Sequence, residues 1–236
     1  MRVLIFAEAE SVARAAADLV ARCAAERPEL VLALPTGKTA VPLYAELAAA
    51  HAGGSLDLSR ARSFNLDELR LPRRHPATFR AFMERHAWER IGLDRARCDI
   101  PDAEAGPAAE CARYDRALAA AGPLDLAILG VGADGHVGYN LPGVPSEGTH
   151  LVDLPEALAD SLGAPADWRP LQAITLGFGP LRGARRLLML ATTAAKARAV
   201  RHLVVGPSDP AWPCSLLRDH PNFDLLLTHE AAAELD

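Results

Sequence analysis

The chain has 236 residues, half of them hydrophobic, and a formal net charge of −5. This size suits one α/β domain, and the lack of a basic footprint argues against a nucleic-acid-binding protein. No apolar run approaches the length of a membrane span, the first residues lack the layout of a signal peptide, and the four cysteines are scattered. We therefore expect a cytoplasmic protein with no membrane partner, no zinc ribbon and no disulfide framework.

Short apolar runs alternate with longer segments of helical character. In chain order, strands are predicted at 3–7, 30–34, 62–66, 124–131, 173–177, 186–191 and 223–228. Helices are predicted at 10–25, 41–50, 77–90, 108–121 and 194–205, with a short terminal helix after the last strand. Between 142 and 170, prolines, glycines and acids interrupt any period, so we expect a loop or mobile lid with one helix near 155–162.

Strands that alternate with helices imply right-handed crossovers. The pattern predicts an α/β fold with a doubly wound, mostly parallel sheet and helices on both faces, similar to Rossmann folds. Residues 1–236 are expected to form a single domain. In such a fold the polar residues that follow several strands meet at one edge of the sheet, where ligands bind.

The first polar strand end is Thr36-Gly37-Lys38-Thr39, between a strand and a helix. Backbone amides, hydroxyls, the lysine charge and the positive helix end suit a phosphate at this point. A nucleotide P-loop needs a glycine where Leu32 stands, inside the strand. A single sugar phosphate therefore fits better than a triphosphate, and an ordinary turn with a surface lysine is the alternative.

Asp67 and Glu68 follow the third strand directly. A carboxylate at this place can act as a general base if partial burial raises its pKa toward the working pH. The alternative is an acid that caps a helix. Further along, Lys196 begins a helix after the strand at 186–191 and is a second candidate phosphate contact.

An apolar strand at 124–131 runs into a loop that carries Asp134 and His136. An aspartate beside a histidine is the usual way to orient an imidazole for proton transfer. The alternative is a turn with two solvated polar residues, while a metal site is less favoured because no third ligand has a suitable spacing. Backbone freedom and close approach to a ligand are expected at the loop's glycines, Gly130, Gly132 and Gly135.

Together these motifs resemble the glucosamine-6-phosphate deaminase and 6-phosphogluconolactonase superfamily over nearly the full chain, with more similarity to the deaminase branch. The segments that carry the resemblance are 32–44, 64–68, 71–72, 75–76, 130–136, 213–217 and 220–221. The resemblance implies a metal-independent enzyme without a cofactor that isomerises an amino-sugar phosphate, releases ammonia and forms fructose 6-phosphate.

The resemblance also implies roles for individual residues. His136, oriented by Asp134, would open the sugar ring, and Asp67 would move the proton from C2 to C1. The substrate and its phosphate would be bound by the remaining candidates, which are Thr36, Gly37, Lys38, Thr39, Lys196, Glu68, Gly132, Gly135 and Asn140.

Three positions depart from the deaminase pattern. Leu141 stands where the deaminases have a glutamate that completes the ring-opening group, and the segment 150–163 lacks their phosphate-binding arginine. Lys38 replaces a usual serine, so we hypothesise that Lys38 supplies the missing positive charge. Glu147 is a candidate to replace the missing glutamate if its loop turns back toward His136.

Three other functions stay open. The first is lactone hydrolysis, although the lactonases usually have Asp-Glu-Arg where this chain has Asp67, Glu68 and Leu69. The second is an isomerase or deaminase for a different sugar. The third is a sugar-phosphate sensor without catalysis. The presence of Asp67, Asp134 and His136 together argues against a sensor. A homo-oligomer is possible, and the sequence pattern does not determine it.

Overall fold

The protein contains a seven-stranded parallel sheet and a smaller three-stranded antiparallel sheet, seen in a computed structural model that describes residues 1–143, 145–163 and 166–235. The strands are β1 (Arg2–Phe6), β2 (Val31–Leu34), β3 (Arg62–Asn65), β4 (Asp67–Leu69), β5 (Cys98–Asp99), β6 (Leu126–Gly130), β7 (His150–Asp153), β8 (Gln172–Thr175), β9 (Leu187–Ala191) and β10 (Phe223–Thr228). The large sheet has the order β1-β10-β9-β6-β2-β3-β5.

The predicted doubly wound fold is confirmed, because side chains alternate between two cores along each central strand. In β6, Leu126 and Ile128 face one core, and Ala127 and Leu129 face the other. The helices are α1 (Ala9–Glu26), α2 (Ala40–Ala52), α3 (Phe79–His86), α4 (Pro107–Ala121), α5 (Glu156–Ser161), α6 (Phe178–Arg182) and α7 (Ala197–Val204). Helices α1, α2 and α3 pack on the first core, and α4, α6 and α7 pack on the second.

The antiparallel sheet is the main feature that the sequence pattern does not predict. It has the order β4-β8-β7, so the strand predicted at 173–177 joins this sheet and not the parallel one. Strand β7 and helix α5 lie inside the predicted lid at about 142–170, where only a helix was expected. Val144, Ala164 and Pro165 of that segment lie outside the described residues.

A third apolar cluster holds this small sheet together, and it includes Leu69, Tyr139, Leu154 and Ala173. Its members come from β4, from β8, from the loop after β6 and from the segment between β7 and α5. Burial of these side chains explains why the predicted lid has regular structure. Motion of this segment remains a prediction.

Two helix predictions differ from the structure. The helix predicted at 77–90 ends at His86, and a 3₁₀ turn, Trp88–Ile91, follows it. The short helix predicted after β10 is instead a series of turns at 229–234. Among the residues that the structure describes, no helix has the length and apolar character needed to cross a bilayer.

The order of the parallel strands reverses between β2 and β6. From β2 the chain continues outward through β3 and β5, then returns to β6 on the other side of β2 and continues through β9 and β10. Ligands of open α/β sheets bind beside such a reversal, at the carboxyl ends of the strands. The loops that follow β2 and β6 therefore border the expected binding crevice.

Candidate active site

Three polar loops lie side by side at the carboxyl edge of the parallel sheet. They follow β2, β6 and β9, and these strands are hydrogen-bonded neighbours in the order β9-β6-β2. The loops carry the predicted phosphate residues Thr36 to Thr39, the Asp134 and His136 pair, and Lys196. The sheet thus brings these three groups of predicted site residues to one edge, as their strand ends suggested.

Asp134 and His136 form a close pair within one loop. The Nδ1 atom of His136 lies 2.7 Å from Oδ1 of Asp134, and the backbone amide of His136 also donates to that oxygen at 3.2 Å. Partial burial raises the pKa of Asp134, but the hydrogen bond and charge of His136 outweigh burial and lower this pKa to about 2. Asp134 is therefore an anion that holds Nδ1 and leaves Nε2 available for chemistry.

Gly132 and Gly135 make this pair possible by lacking side chains. A Cβ atom on Gly132 would lie 2.2 Å from Nδ1 of His136 and 2.6 Å from Oδ1 of Asp134. Gly135 has φ of +84°, and a Cβ atom there would lie 3.1 Å from Trp212 and 3.3 Å from the sulfur of Cys214. Both glycines are thus required for packing within the protein, whether or not they also touch a ligand.

Asp67 approaches this loop from the antiparallel sheet. Its carboxylate lies beside Gly138, where a Cβ atom would be 3.5 Å from Oδ2 of Asp67 and 3.0 Å from Oγ1 of Thr175. Thr175 is the cross-strand partner of Asp67. The hydroxyl of Thr175 accepts a hydrogen bond from the backbone amide of Tyr139 at 3.0 Å. Thr175 therefore connects the strand of Asp67 to the loop that carries His136.

The carboxyl group of Asp67 is buried and accepts no hydrogen bond within the described part of the chain. Burial raises its pKa to about 8, and the nearby charge of Glu68 adds to this effect. A carboxylate with such a pKa retains the basicity needed to remove a proton from carbon.

Glu68 is held by three backbone amides. Its Oε1 accepts the backbone amides of Leu69 at 2.8 Å and Phe79 at 2.7 Å, and its Oε2 accepts that of Arg80 at 2.8 Å. Only 2% of this residue is exposed. These contacts make Glu68 an anchor for the start of α3, and its predicted contact with the substrate stays a prediction.

Asn140 is also internal, although the sequence motif predicts that it binds substrate. Its side-chain amide donates to the carbonyl oxygens of Val137 and Leu176, at 2.8 Å each, and the residue is fully buried. These bonds fasten the loop after β6 to the end of β8. Asn140 therefore supports the loop. Its Oδ1 atom has no hydrogen-bond partner among the described residues, and its contact with the substrate stays a prediction.

The loop after β2 presents its polar groups to solvent. Gly37 has φ of +95° with open space around it, and Lys38 is exposed. The start of this loop is held by the Tyr44 hydroxyl, which donates a hydrogen bond to the carbonyl oxygen of Pro35 at 2.6 Å. On the other side of β6, burial lowers the pKa of Lys196, while the charge of Asp134 opposes this shift. Two cations thus border the crevice from opposite sides.

Glu147 does not replace the glutamate missing at Leu141. Its carboxylate forms an ion pair with Arg182 of α6. It lines a cleft together with Gly122 and Leu124, which precede β6, whereas His136 follows the other end of that strand. The hypothesis that Glu147 joins the ring-opening group is therefore wrong for this structure.

Two aromatic residues support the site, and the sequence interpretation assigned no role to either. The ring of Tyr139 stacks on Phe79 with centroids 5.9 Å apart, and lies 6.2 Å from the ring of His136. Trp212 contacts Gly135 on one side and stacks on His202 at 3.9 Å. Tyr139 stands between His136 and Asn140, and Trp212 directly precedes Pro213. Because both lie inside or beside motifs named above, the sequence could have indicated them as site residues.

A family model for glucosamine-6-phosphate isomerases and 6-phosphogluconolactonases matches residues 7–226 of this chain. A glucosamine-6-phosphate deaminase of Pseudarthrobacter chlorophenolicus is 40% identical over 243 residues, covering 100% of this chain and 93% of that protein. A protein of the same name from Cellvibrio japonicus is 37% identical over 241 residues, covering 100% of this chain and 92% of the relative.

Solved structures are similar over the same length. One described as a monomeric glucosamine-6-phosphate deaminase has 32% identity and a TM-score of 0.93, and covers 99% of this chain and 100% of its own. The 6-phosphogluconolactonase of Leishmania guyanensis has 20% identity and a TM-score of 0.83, with coverage of 100% and 98%. The second similarity concerns the fold alone.

Proposed function

Because this chain belongs to the family of glucosamine-6-phosphate isomerases and 6-phosphogluconolactonases, we propose that it is a glucosamine-6-phosphate deaminase. It converts glucosamine 6-phosphate and water into fructose 6-phosphate and ammonia. The observation that carries this proposal is that the buried carboxyl group of Asp67 lies beside Gly138, in the same loop that holds the Asp134 and His136 pair. The pKa values of the two aspartates are shifted in opposite directions. The pKa of Asp67 is raised to about 8, and that of Asp134 is lowered to about 2 beside His136.

The Asp134 and His136 pair is suited to opening the sugar ring. Ring opening moves the proton of the C1 hydroxyl to the ring oxygen, so it needs one group that accepts and donates a proton. In our proposal Nε2 of His136 performs both transfers, while Asp134 holds Nδ1 at 2.7 Å. The anionic Asp134 stabilises the imidazolium that forms between the two steps.

Asp67 is suited to the isomerisation that follows. Its carboxylate removes the proton from C2, and the electron pair forms a C1–C2 double bond as the aldehyde oxygen takes a proton from the substrate's own ammonium group. The same carboxyl group then returns the proton to C1, which leaves a carbon–nitrogen double bond at C2. Water adds to C2, ammonia leaves and the ketose forms. One base on one face of the planar intermediate is sufficient for this transfer.

We propose that the phosphate binds between the loop after β2 and Lys196. The hydroxyls of Thr36 and Thr39 and the charge of Lys38 would contact it, together with the backbone at Gly37, which has φ of +95° and open space around it. Lys196 approaches from the side of Asp134. In this proposal Gly132 and Gly135 shape the loop under the sugar. The single domain acts on a small-molecule sugar phosphate in the cytoplasm.

One set of assays separates this function from its rivals. Purified protein is tested for ammonia release from glucosamine 6-phosphate, for hydrolysis of 6-phosphogluconolactone, and for thermal-shift binding of the amino-sugar phosphate. We expect ammonia release with an equal amount of fructose 6-phosphate. Lactone hydrolysis without ammonia would contradict the proposal in favour of a lactonase. Binding without either product would contradict it in favour of a sensor.

A further inference from the structure

Two adjacent acids, Asp67 and Glu68, are both buried on β4, with 7% and 2% of each residue exposed. They differ in their hydrogen bonds. Asp67 accepts none within the described chain, whereas Glu68 accepts three backbone amides at 2.7 to 2.8 Å. Two of these amides belong to the first turn of α3, where the free N–H groups favour a negative charge. The surroundings thus stabilise an anion at Glu68 much more than at Asp67.

Few other ionisable groups act on this pair. The phenols of Tyr139, from the loop after β6, and Tyr114, from α4, both interact electrostatically with Asp67. Burial raises the pKa of each phenol above its ordinary value, so both stay uncharged. Arg80 of α3 acts on Glu68, and Tyr139 also interacts with it. Glu68 is therefore the nearby anion that acts on Asp67.

We propose that Glu68 is a positioning residue that sets the pH range in which Asp67 acts as a base, by holding a negative charge beside it. This inference rests on the proposed function of Asp67 in deamination. The α3 amides keep the charge at Glu68, and that charge opposes a second negative charge on the same buried strand. Asp67 consequently keeps its proton to a higher pH and is a stronger base once it has lost it.

The size of this effect follows from the spacing of neighbouring residues. The two side chains extend to opposite faces of β4, so their charges are about 10 Å apart, and at an effective dielectric constant of about 20 they interact by an amount equivalent to a pKa shift of about one unit. Glu68 is itself incompletely ionised near neutral pH, because burial raises its pKa to about 7 against the pull of the three amides. We therefore expect the full shift only above about pH 7, where Glu68 is charged.

The main experiment compares the pH dependence of kcat/KM for ammonia release in the wild type and in Glu68→Gln. The acidic limb is the part of the profile where kcat/KM rises with pH. We expect its midpoint to lie about half a pH unit lower in the variant, with a gain of about 1.5-fold between pH 7 and pH 8, where the charge of Glu68 opposes ionisation of Asp67. Little change is expected at pH 6, where Glu68 is largely protonated. Titration of the substrate's own amine is common to both enzymes and cancels. An unmoved limb would overturn the proposal, even if kcat falls.

Two further variants separate charge from structure. Glu68→Asp retains the charge with a shorter side chain, so its limb should return to the wild-type position. Thr78→Ala removes the hydroxyl that accepts the amide of Ala81 at 3.2 Å, and so loosens the same end of α3 without changing a charge. It should lower the melting temperature and leave the limb unmoved. A limb that moves in Thr78→Ala as far as in Glu68→Gln would contradict an electrostatic role.

A measurement on the unaltered protein needs neither turnover nor a foldable variant. The ¹³C carboxyl signals of Asp67 and Glu68 are followed by NMR from pH 4 to pH 10. We expect two titration steps in the Asp67 signal, one of them coincident with ionisation of Glu68. A single step that is independent of Glu68 would overturn the inference. If the protein releases no ammonia, the proposed function fails, whereas this titration still decides whether Glu68 controls Asp67.

Discussion

Asp67 and Asp134 are two aspartates at one crevice that lie on structurally different supports. Asp67 is on a strand of the small antiparallel sheet, is 7% exposed and accepts no hydrogen bond from the described residues. Asp134 is on a glycine loop at the edge of the parallel sheet, and half of its side chain is exposed beside His136. Their pKa values move in opposite directions, to about 8 and about 2.

This difference separates two tasks that the proposed reaction requires. Removal of a proton from carbon needs a strong base, which burial without hydrogen bonds produces. Ring opening needs a histidine in a defined orientation, which a permanent anion next to it produces. Identical side chains are thus suited to separate proposed roles, because the two sheets place them in different environments.

The largest expected effect is loss of the buried base. Asp67→Asn should lower kcat for ammonia release by about 10³-fold or more, because an amide cannot remove the C2 proton. Thermal-shift binding of glucosamine 6-phosphate should persist, since the phosphate contacts are unchanged. An Asp67→Asn enzyme with kcat within tenfold of the wild type would show that another group is the base.

The second prediction concerns pH. Only ionised Asp67 can accept a proton, so kcat/KM should rise with pH up to the pKa of about 8 and then level off. Activity at pH 6 should be about tenfold below this plateau, because Glu68 is largely protonated at that pH and its charge then no longer opposes ionisation of Asp67. Asp134 is ionised throughout this range, and Asp134→Asn should lower the plateau without moving this limb. A limb that disappears in Asp134→Asn would reverse the two assignments.

The third prediction tests the support of the exposed pair. Gly132→Ala would place a Cβ atom 2.2 Å from Nδ1 of His136, so the ring must move away from Asp134. We expect kcat to fall about 10²-fold. The matched control is Gly106→Ala, because a Cβ atom there meets nothing within 4 Å and its φ is not positive. Wild-type kinetics of Gly132→Ala would show that the pair tolerates displacement.

The smallest expected effect concerns Lys38. Lys38→Ala should raise the KM for glucosamine 6-phosphate about tenfold with little change in kcat, because an exposed charge contributes modestly to phosphate binding. Added salt should raise the KM of the wild type toward that of the variant. The control is Arg62→Ala, which removes an exposed cation at the amino end of β3. An unchanged KM in Lys38→Ala would end the hypothesis that this lysine replaces the missing arginine.

The parallel sheet and its crossovers were predictable from local pattern, because buried strands such as β6 are short, apolar and bounded by glycine. The antiparallel sheet was not, although its strands β4 and β7 are present in the sequence. Strand β4 has only three residues, two of them acids, and β7 alternates between exposed and half-buried positions. Such segments become strands through cross-strand pairing with β8, which local periodicity does not record.

Within the candidate site, the sequence by itself determined the Asp134 and His136 pair, since the two residues are two positions apart and the glycines between and before them are read directly. It also placed the predicted phosphate residues, Thr36 to Thr39, and Lys196 at strand ends. Only the tertiary structure decided that Glu68 anchors α3, that Asn140 is internal, and that Glu147 pairs with Arg182. It likewise decided the burial that makes Asp67 a strong base. Ion pairing between near neighbours depends on local backbone geometry, whereas burial and pKa depend on segments far apart in the chain that meet only when the two sheets assemble.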